Sequence, residues 1–147
     1  MTTVKTCLEQ KPHPTVIFSV GPDDTIVTVL QLMRDKRVRA VLVLEAERLK
    51  GIVTQGDCAI KVLLPGLDAK SVAVKDIMTV GPMTVRLADP IEACMGLMAS
   101  RNFRHLPVVE ADRVVGMVSI GDIVKDSIRQ MGQQINYLET YIKGHGA

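Results

Sequence analysis

The sequence predicts an α+β fold in which two βαββα units pack sheet to sheet about a pseudo-twofold axis, with a helix added at the C-terminus. Three observations carry this expectation. The phrase GIVTQGD at residues 51–57 returns as GMVSIGD at 116–122. The same 65-residue shift aligns 18–63 with 83–128 without a gap, and about 14 of the 46 aligned positions are identical. Within each copy the apolar residues run through strand, helix, strand, strand and helix periods in the same order. One unit of this size is too small to cover both faces of its sheet, so the two copies should pack together, with equivalent residues facing across a cleft. The expected boundaries are 1–68 for the first unit with its N-terminal segment, 69–130 for the second, and 131–147 for a C-terminal helix or tail.

The helices come first in the grammar of each copy. In DDTIVTVLQLMRDKRV the apolar Ile26, Val29, Leu30 and Met33 share one helical face, as Ile91, Cys94, Met95 and Met98 do in ADPIEACMGLMASRNF. Asp89, Pro90 and Glu92 read as an N-cap, a first-turn proline and an acid three positions after the cap. Each helix is followed by a short apolar run (AVLVL at 40–44, HLPVV at 105–109), a polar turn (EAER or EADR) and a second run (GIVT or GMVS). Two such runs around a polar turn predict a β-hairpin. The repeated phrase then opens a second helix, and LPGLDAKSVAVKDIMT at 64–79 joins the copies.

Past Ile128 the apolar residues fall at Met131, Ile135, Leu138 and Ile142, alternating steps of three and four. That spacing is a heptad seam. It suits either a dimerising helix or a terminal helix lying along its own domain, and Gly132 weakens both.

Composition excludes several classes. Apolar residues make up 47% of the 147 and charged residues 23%, so a real core is available. Aromatics are only 3% with no Trp, which removes the stacking platform of a single-strand nucleic-acid binder, and a net charge of +2 gives no polyanion signal. Cys7, Cys58 and Cys94 are odd in number and outside any CxxC pattern, which argues against a disulfide framework or a zinc site. MTTVKTCLEQKPHP lacks the apolar core of a signal peptide, and no apolar run approaches a membrane span. A cytoplasmic protein is expected. Catalysis is not legible either: His13, His105 and His145 are scattered, and Asp57 and Asp122, as symmetric equivalents, make two like sites rather than one acid and one base.

The repeated phrase supports two readings. Thr54 and Ser119 stand where a strand gives way to a helix, with Asp57 or Asp122 three residues on, which is the spacing of a capping box. The same helix start offers unpaired N–H groups and the positive end of a dipole, which suits phosphate, and the hydroxyl of Thr54 or Ser119 adds a hydrogen bond. Gly56 and Gly121 let a ligand approach the backbone, and the carboxylate of Asp57 or Asp122 can accept from both hydroxyls of a ribose. Hydroxyl, bare backbone and carboxylate together describe a ribonucleotide site.

These residues carry a family resemblance. GIVTQGD and GMVSIGD both match the glycine, apolar, any, Thr or Ser, two residues, Asp pattern of the CBS (cystathionine-β-synthase-type) domain, and the chain resembles a tandem CBS pair, or Bateman module. VKDIMT, RHLPVVE and the terminal INYLETYI extend the resemblance over nearly the whole chain, the last toward small stand-alone bacterial CBS pairs. The resemblance implies a non-enzymatic sensor, without a catalytic cofactor or metal, that binds an adenosine ligand such as AMP, ATP or NAD(H). In its terms Asp57 and Asp122 hold the ribose, and Thr54, Ser119, Arg39, Arg104 and His105 meet phosphate. The adenine lies near Val16 and Ile17 or near Pro82 and Met83. Stand-alone relatives often carry Glu-Arg-Asp and a further Arg-Lys pair where this chain has Gln55, Gly56, Asp57, Ile60 and Lys61, so the first copy lacks two arginines that Lys61 replaces in part. The second copy fits without that departure and is the favoured nucleotide site. A homodimer, with or without an effector protein, is the implied partner, and neither nucleic acid nor membrane is. The rival reading is a protein-interaction scaffold in which both phrases are only caps and the clefts stay empty.

Overall fold

In the computed structural model, which describes residues 2–11 and 17–145, a short helix α1 (Val4–Glu9) precedes the first copy. That copy is built from β1 (Ser19–Val20), α2 (Ile26–Lys36), β2 (Ala40–Glu45), β3 (Arg48–Thr54) and α3 (Gln55–Cys58), which runs into a π-helical turn over Ala59–Leu63. A 3-10 turn (Val74–Asp76) and β4 (Thr79–Val80) lead to the second copy, α4 (Ile91–Arg101), β5 (His105–Glu110), β6 (Arg113–Ser119) and α5 (Ile120–His145). The architecture is the α+β pair the duplication predicts.

The duplication reaches the backbone. β1 lies parallel to β2, pairing Val20 with Val43, and in the second copy Val85 bridges Val108 in the same parallel sense. β2 and β3 are antiparallel, as are β5 and β6, and both hairpins shift register at one equivalent point, after Val43 and after Val108. Both turns are two residues long and left-handed, with φ of 51° and 66° at Ala46 and Glu47 and of 49° and 63° at Ala111 and Asp112. Such turns match the right-handed twist of the strands they join. Helix α2 is capped by Thr25, whose hydroxyl accepts from Thr28 N. Helix α4 starts at Ile91 after Pro90. Asp89, expected to cap it, closes the preceding turn by accepting from Arg86 N at 2.8 Å, as Asp24 does from Gly21 N at 2.7 Å.

The segment leading each copy belongs to the core of the other. Val4 N and Lys5 N donate to Asp89 O and Leu87 O, and Ile91 N donates to Thr2 O; Val74 N and Lys75 N donate to Asp24 O and Pro22 O, and Ile26 N to Val72 O. Val4, Cys7 and Leu8 are buried with Ile91, Cys94, Leu106 and Ile123 of the second copy, and Val74 and Ile77 with Ile26, Val29, Val53 and Val62 of the first. Packing thus crosses the boundaries read from sequence: α1 packs into the core of the second unit, and Val72, Val74 and Ile77 pack into that of the first. The reason is apolar burial. Each two-layer unit has an uncovered edge that the borrowed leader closes, and a contact so distant along the chain leaves no local signal.

Side chains alternate along β2 and β3. Val41, Val43 and Val53 face the helices, while Ala40, Leu42 and Ile52 turn to the other side and pack with Ile17, Val114 and Met117, which is where the two sheets meet. The three cysteines are buried and free. No described helix is long and apolar enough to cross a membrane. The C-terminal element is longer than the expected 131–147: α5 begins at the repeated phrase itself and continues for 26 residues, and from Gln130 to Ile142 every residue is exposed. Of the two readings of the terminal seam, lying along its own domain is therefore excluded.

Candidate functional site

The strand-to-helix junction is a capping box in both copies. Thr54 Oγ1 accepts from Asp57 N at 3.1 Å while Asp57 Oδ2 accepts from Thr54 N at 3.0 Å; the corresponding distances for Ser119 and Asp122 are 3.2 and 2.9 Å. The cap uses one oxygen of each carboxylate. A carboxylate accepts up to about four hydrogen bonds and a hydroxyl can still donate, so both keep capacity for a ligand. The bland and the functional readings of the phrase use the same atoms without conflict.

The two glycines of GIVTQGD differ in purpose. A Cβ at Gly51 would stand 2.6 Å from Met78 Sδ and 2.7 Å from the Thr79 carbonyl oxygen, where β4 pairs antiparallel with β3. A Cβ at Gly56 would meet only Thr54 Oγ1, at 3.6 Å, an ordinary contact. Packing requires the first glycine; the second faces open space in the cleft.

That space is a cavity of about 420 Å³ between the copies. Arg39, Ile52 and the Thr54–Asp57 turn contribute from the first copy, Thr79, Pro82 and Met83 from the connection, and Asn102, Phe103, Arg104 and His105 from the second. Among the residues singled out from sequence, Arg39, Thr54, Gly56, Asp57, Pro82, Met83, Arg104 and His105 thus meet here. Arg39 and Arg104, equivalent in the repeat, come from opposite copies into one cavity. Lys61 stands behind the turn, its Nζ 3.3 Å from Asp57 Oδ1 and 2.9 Å from Ile77 O. Ile17 packs between the sheets, and Val16 lies outside the described residues.

The second junction is braced by a lysine as the first is. Lys11 Nζ lies 3.0 Å from Asp122 Oδ2 and donates to Met117 O at 2.9 Å, and a small cavity of about 40 Å³ lies toward α1 and α5 among Cys7, Gln10, Lys11, Asp122, Lys125 and Arg129. Among the described residues, the roughly 420 Å³ cavity lies beside the first junction, whereas the preference from sequence is for the second.

Burial shapes the titratable groups. It pushes the His105 imidazole below its ordinary 6.5, with Lys11, Arg104 and Arg39 adding to the effect and Asp122 opposing it, so the ring is neutral at neutral pH and offers a hydrogen bond rather than a charge. Burial also pushes the Cys7 thiol up to about 11, with the carboxylates of Asp126 and Asp122 adding to it, which keeps it protonated. Sequence reasoning missed Phe103, Asn102, Ile52 and Thr79 in the cavity and Lys11 at the second junction. Phe103 had a signal, as one of only two phenylalanines and the neighbour of Arg104; Lys11 had none, since its partners lie more than a hundred residues away.

The CBS-domain family profile matches the chain twice, over residues 13–63 and 74–129, one match for each copy. The chain belongs to the CBS-domain family. CBS-domain pairs are typically regulatory modules. It is 34% identical over 127 residues to the mitochondrial CBS domain-containing protein CBSX3 of Arabidopsis thaliana, matching 83% of this chain and 62% of the relative, so it spans under two thirds of that protein's length. A CBS-domain protein of Burkholderia ambifaria superposes with a TM-score of 0.85 at 36% identity, over 87% of this chain and 95% of that one. The CBS pair of protein MJ0100, solved in complex with 5′-methylthioadenosine and S-adenosyl-L-methionine, superposes with a TM-score of 0.75 at 25% identity, over 91% of this chain and 98% of that one.

Proposed function

We propose that this CBS pair is a cytoplasmic sensor that binds one adenosine nucleotide, of the AMP, ATP or NAD(H) class, in the cavity beside the first junction, and reports occupancy by rearranging a homodimer or an effector complex. The observation that carries this reading is the convergence of Thr54, Asp57, Arg39 and Arg104 on one cavity with an apolar wall of Ile52, Pro82, Met83 and Phe103. Asp57 Oδ1 takes the ribose hydroxyls, releasing Lys61 toward the cleft. The Thr54 hydroxyl, the first turn of α3 and the two arginines take the phosphate, with neutral His105 donating beside them. The adenine lies against Met83 and Phe103. The adenosine ligands of MJ0100 support the class; the arginine pair favours a phosphate-bearing member over a sulfonium.

Titration calorimetry with AMP, ADP, ATP, NAD, NADH and S-adenosylmethionine tests it. One of the phosphate-bearing nucleotides should bind at one per chain. A second reading, a scaffold with an empty cleft, is favoured by the observation that Asp57 already serves as a cap and pairs with Lys61. Absence of heat and of any thermal shift with every compound at millimolar concentration would establish that reading instead.

A further inference from the structure

Helix α5 leaves the domain body with an uncovered apolar seam. Val124, Ile128, Met131, Ile135, Leu138 and Ile142 are each more than half exposed and keep the a/d spacing of a heptad. On the body side the same helix is fixed by Ile123 and Asp126, both buried, with Gln130 donating to Asp126 at 3.0 Å. The seam therefore points away from its own chain, and water contact along it is unfavourable.

The flanking charges select what covers it. Lys125 and Glu139 occupy e positions on one flank, seven residues to either side of Gly132. In an antiparallel pairing of two α5 helices centred beside Gly132, Lys125 stands opposite Glu139 of the partner subunit, and Glu139 opposite Lys125 of the partner subunit. The same register stacks Ile128 on Leu138 of the partner subunit, Met131 on Ile135 of the partner subunit, and Val124 on Ile142 of the partner subunit, so every seam residue finds an apolar counterpart. A parallel pairing sets e against g positions, which here offer only Ser127 and Gln134 across from Gly132 and Glu139, with no opposite charge. Neither Lys125 nor Glu139 is engaged in an ion pair among the described residues. Gly132 falls at the crossing, where the absence of a side chain lets the two backbones come close.

We infer that two copies of this chain associate through an antiparallel α5–α5 pairing centred on Gly132, with Lys125 and Glu139 fixing its direction. The inference rests on the homodimer of the proposed function and is independent of the nucleotide.

Sedimentation equilibrium of the full chain tests the seam, and charge reversal tests the direction. Ile135→Asp should weaken the dimer roughly a hundredfold or more, because it buries two unpaired carboxylates at the centre. Lys125→Glu and Glu139→Lys should each weaken it by about three- to tenfold, and the double variant should restore it. Gly132→Cys should form an intersubunit disulfide and Leu138→Cys should not; Cys7, Cys58 and Cys94 are buried and do not compete. A dimer indifferent to Ile135→Asp, absence of rescue in the double variant, or linkage at Leu138→Cys instead of Gly132→Cys would overturn the pairing while leaving nucleotide binding, measured on the same samples, to stand or fall by itself. A wild-type chain that stays monomeric would overturn both the pairing and the homodimer.

Discussion

Lys11 Nζ sits 3.0 Å from Asp122 Oδ2, reaching across from the N-terminal leader to the carboxylate that the repeat makes equivalent to Asp57. Both junction carboxylates hold a lysine of their own chain, Lys11 on Asp122 and Lys61 on Asp57, and the cavity lies beside the latter. The two lysines differ in origin: Lys11 comes from the leader that follows α1, whereas Lys61 comes from the π-helical turn that continues α3.

Removing Lys11 tests whether it masks a second site. Wild type should bind one nucleotide per chain, and Asp122→Ala should leave its affinity unchanged. Lys11→Ala should expose the second junction and raise the stoichiometry toward two in calorimetry. A value that stays at one in Lys11→Ala would mean that something other than Lys11 closes the site.

The two roles of Asp57 separate by substitution. Asp57→Ala removes the cap and the ribose acceptor together, so it should cost about 1 kcal/mol of stability as well as abolishing binding. Asp57→Asn keeps an oxygen for Thr54 N, so its denaturation midpoint should stay near wild type while nucleotide affinity falls. Equal affinity in Asp57→Asn and wild type would remove the carboxylate from the binding site.

The two glycines should respond in opposite ways. Gly51→Ala drives a methyl group into Met78 and the Thr79 backbone, and overpacking of this kind costs about 1–3 kcal/mol. Gly56→Ala should leave thermal stability nearly intact and weaken nucleotide binding. Thermal denaturation and calorimetry on the same two variants decide both points.

If Arg39 and Arg104 hold the phosphate, Arg104→Ala should cost about 1.5–3 kcal/mol in the binding of AMP or ATP and little in the binding of adenosine. Salt should weaken the nucleotide and not the nucleoside. A uniform loss for both ligands would assign the arginine to packing.

His105 gives a pH dependence of known sign. Its folded-state pKa is held below 6.5 by burial first, so the folded protein binds the proton less readily than the unfolded chain. The stability this confers is present above about pH 6.5 and is lost as pH falls through that value toward the folded pKa. His105→Gln should flatten the profile of denaturation midpoint between pH 7 and 5.5; an unchanged slope would place the dependence on other groups.

Much of this molecule is local, and that part was legible in sequence. The helices of each copy follow from apolar spacing at Ile26, Val29 and Met33 and at Ile91, Cys94 and Met98. The hairpins follow from alternating strands around EAER and EADR, and the capping boxes from Thr54, Ser119 and the aspartates three residues on. The duplication itself foretold the packing of sheet on sheet, since neither copy alone can bury its apolar face. The family followed from the ordered phrases. Tertiary structure decided what depends on contacts distant along the chain. The leaders exchange cores, so Val4 and Cys7 stabilise the second copy and Val74 and Ile77 the first. That exchange brings Lys11 onto Asp122, and Asp57 lies beside the cavity between the copies. Repeats fix local geometry because hydrogen bonds and side-chain spacing act over a few residues. Where the Lys11 charge arrives is set by contacts more than a hundred residues apart along the chain, and no local pattern records it.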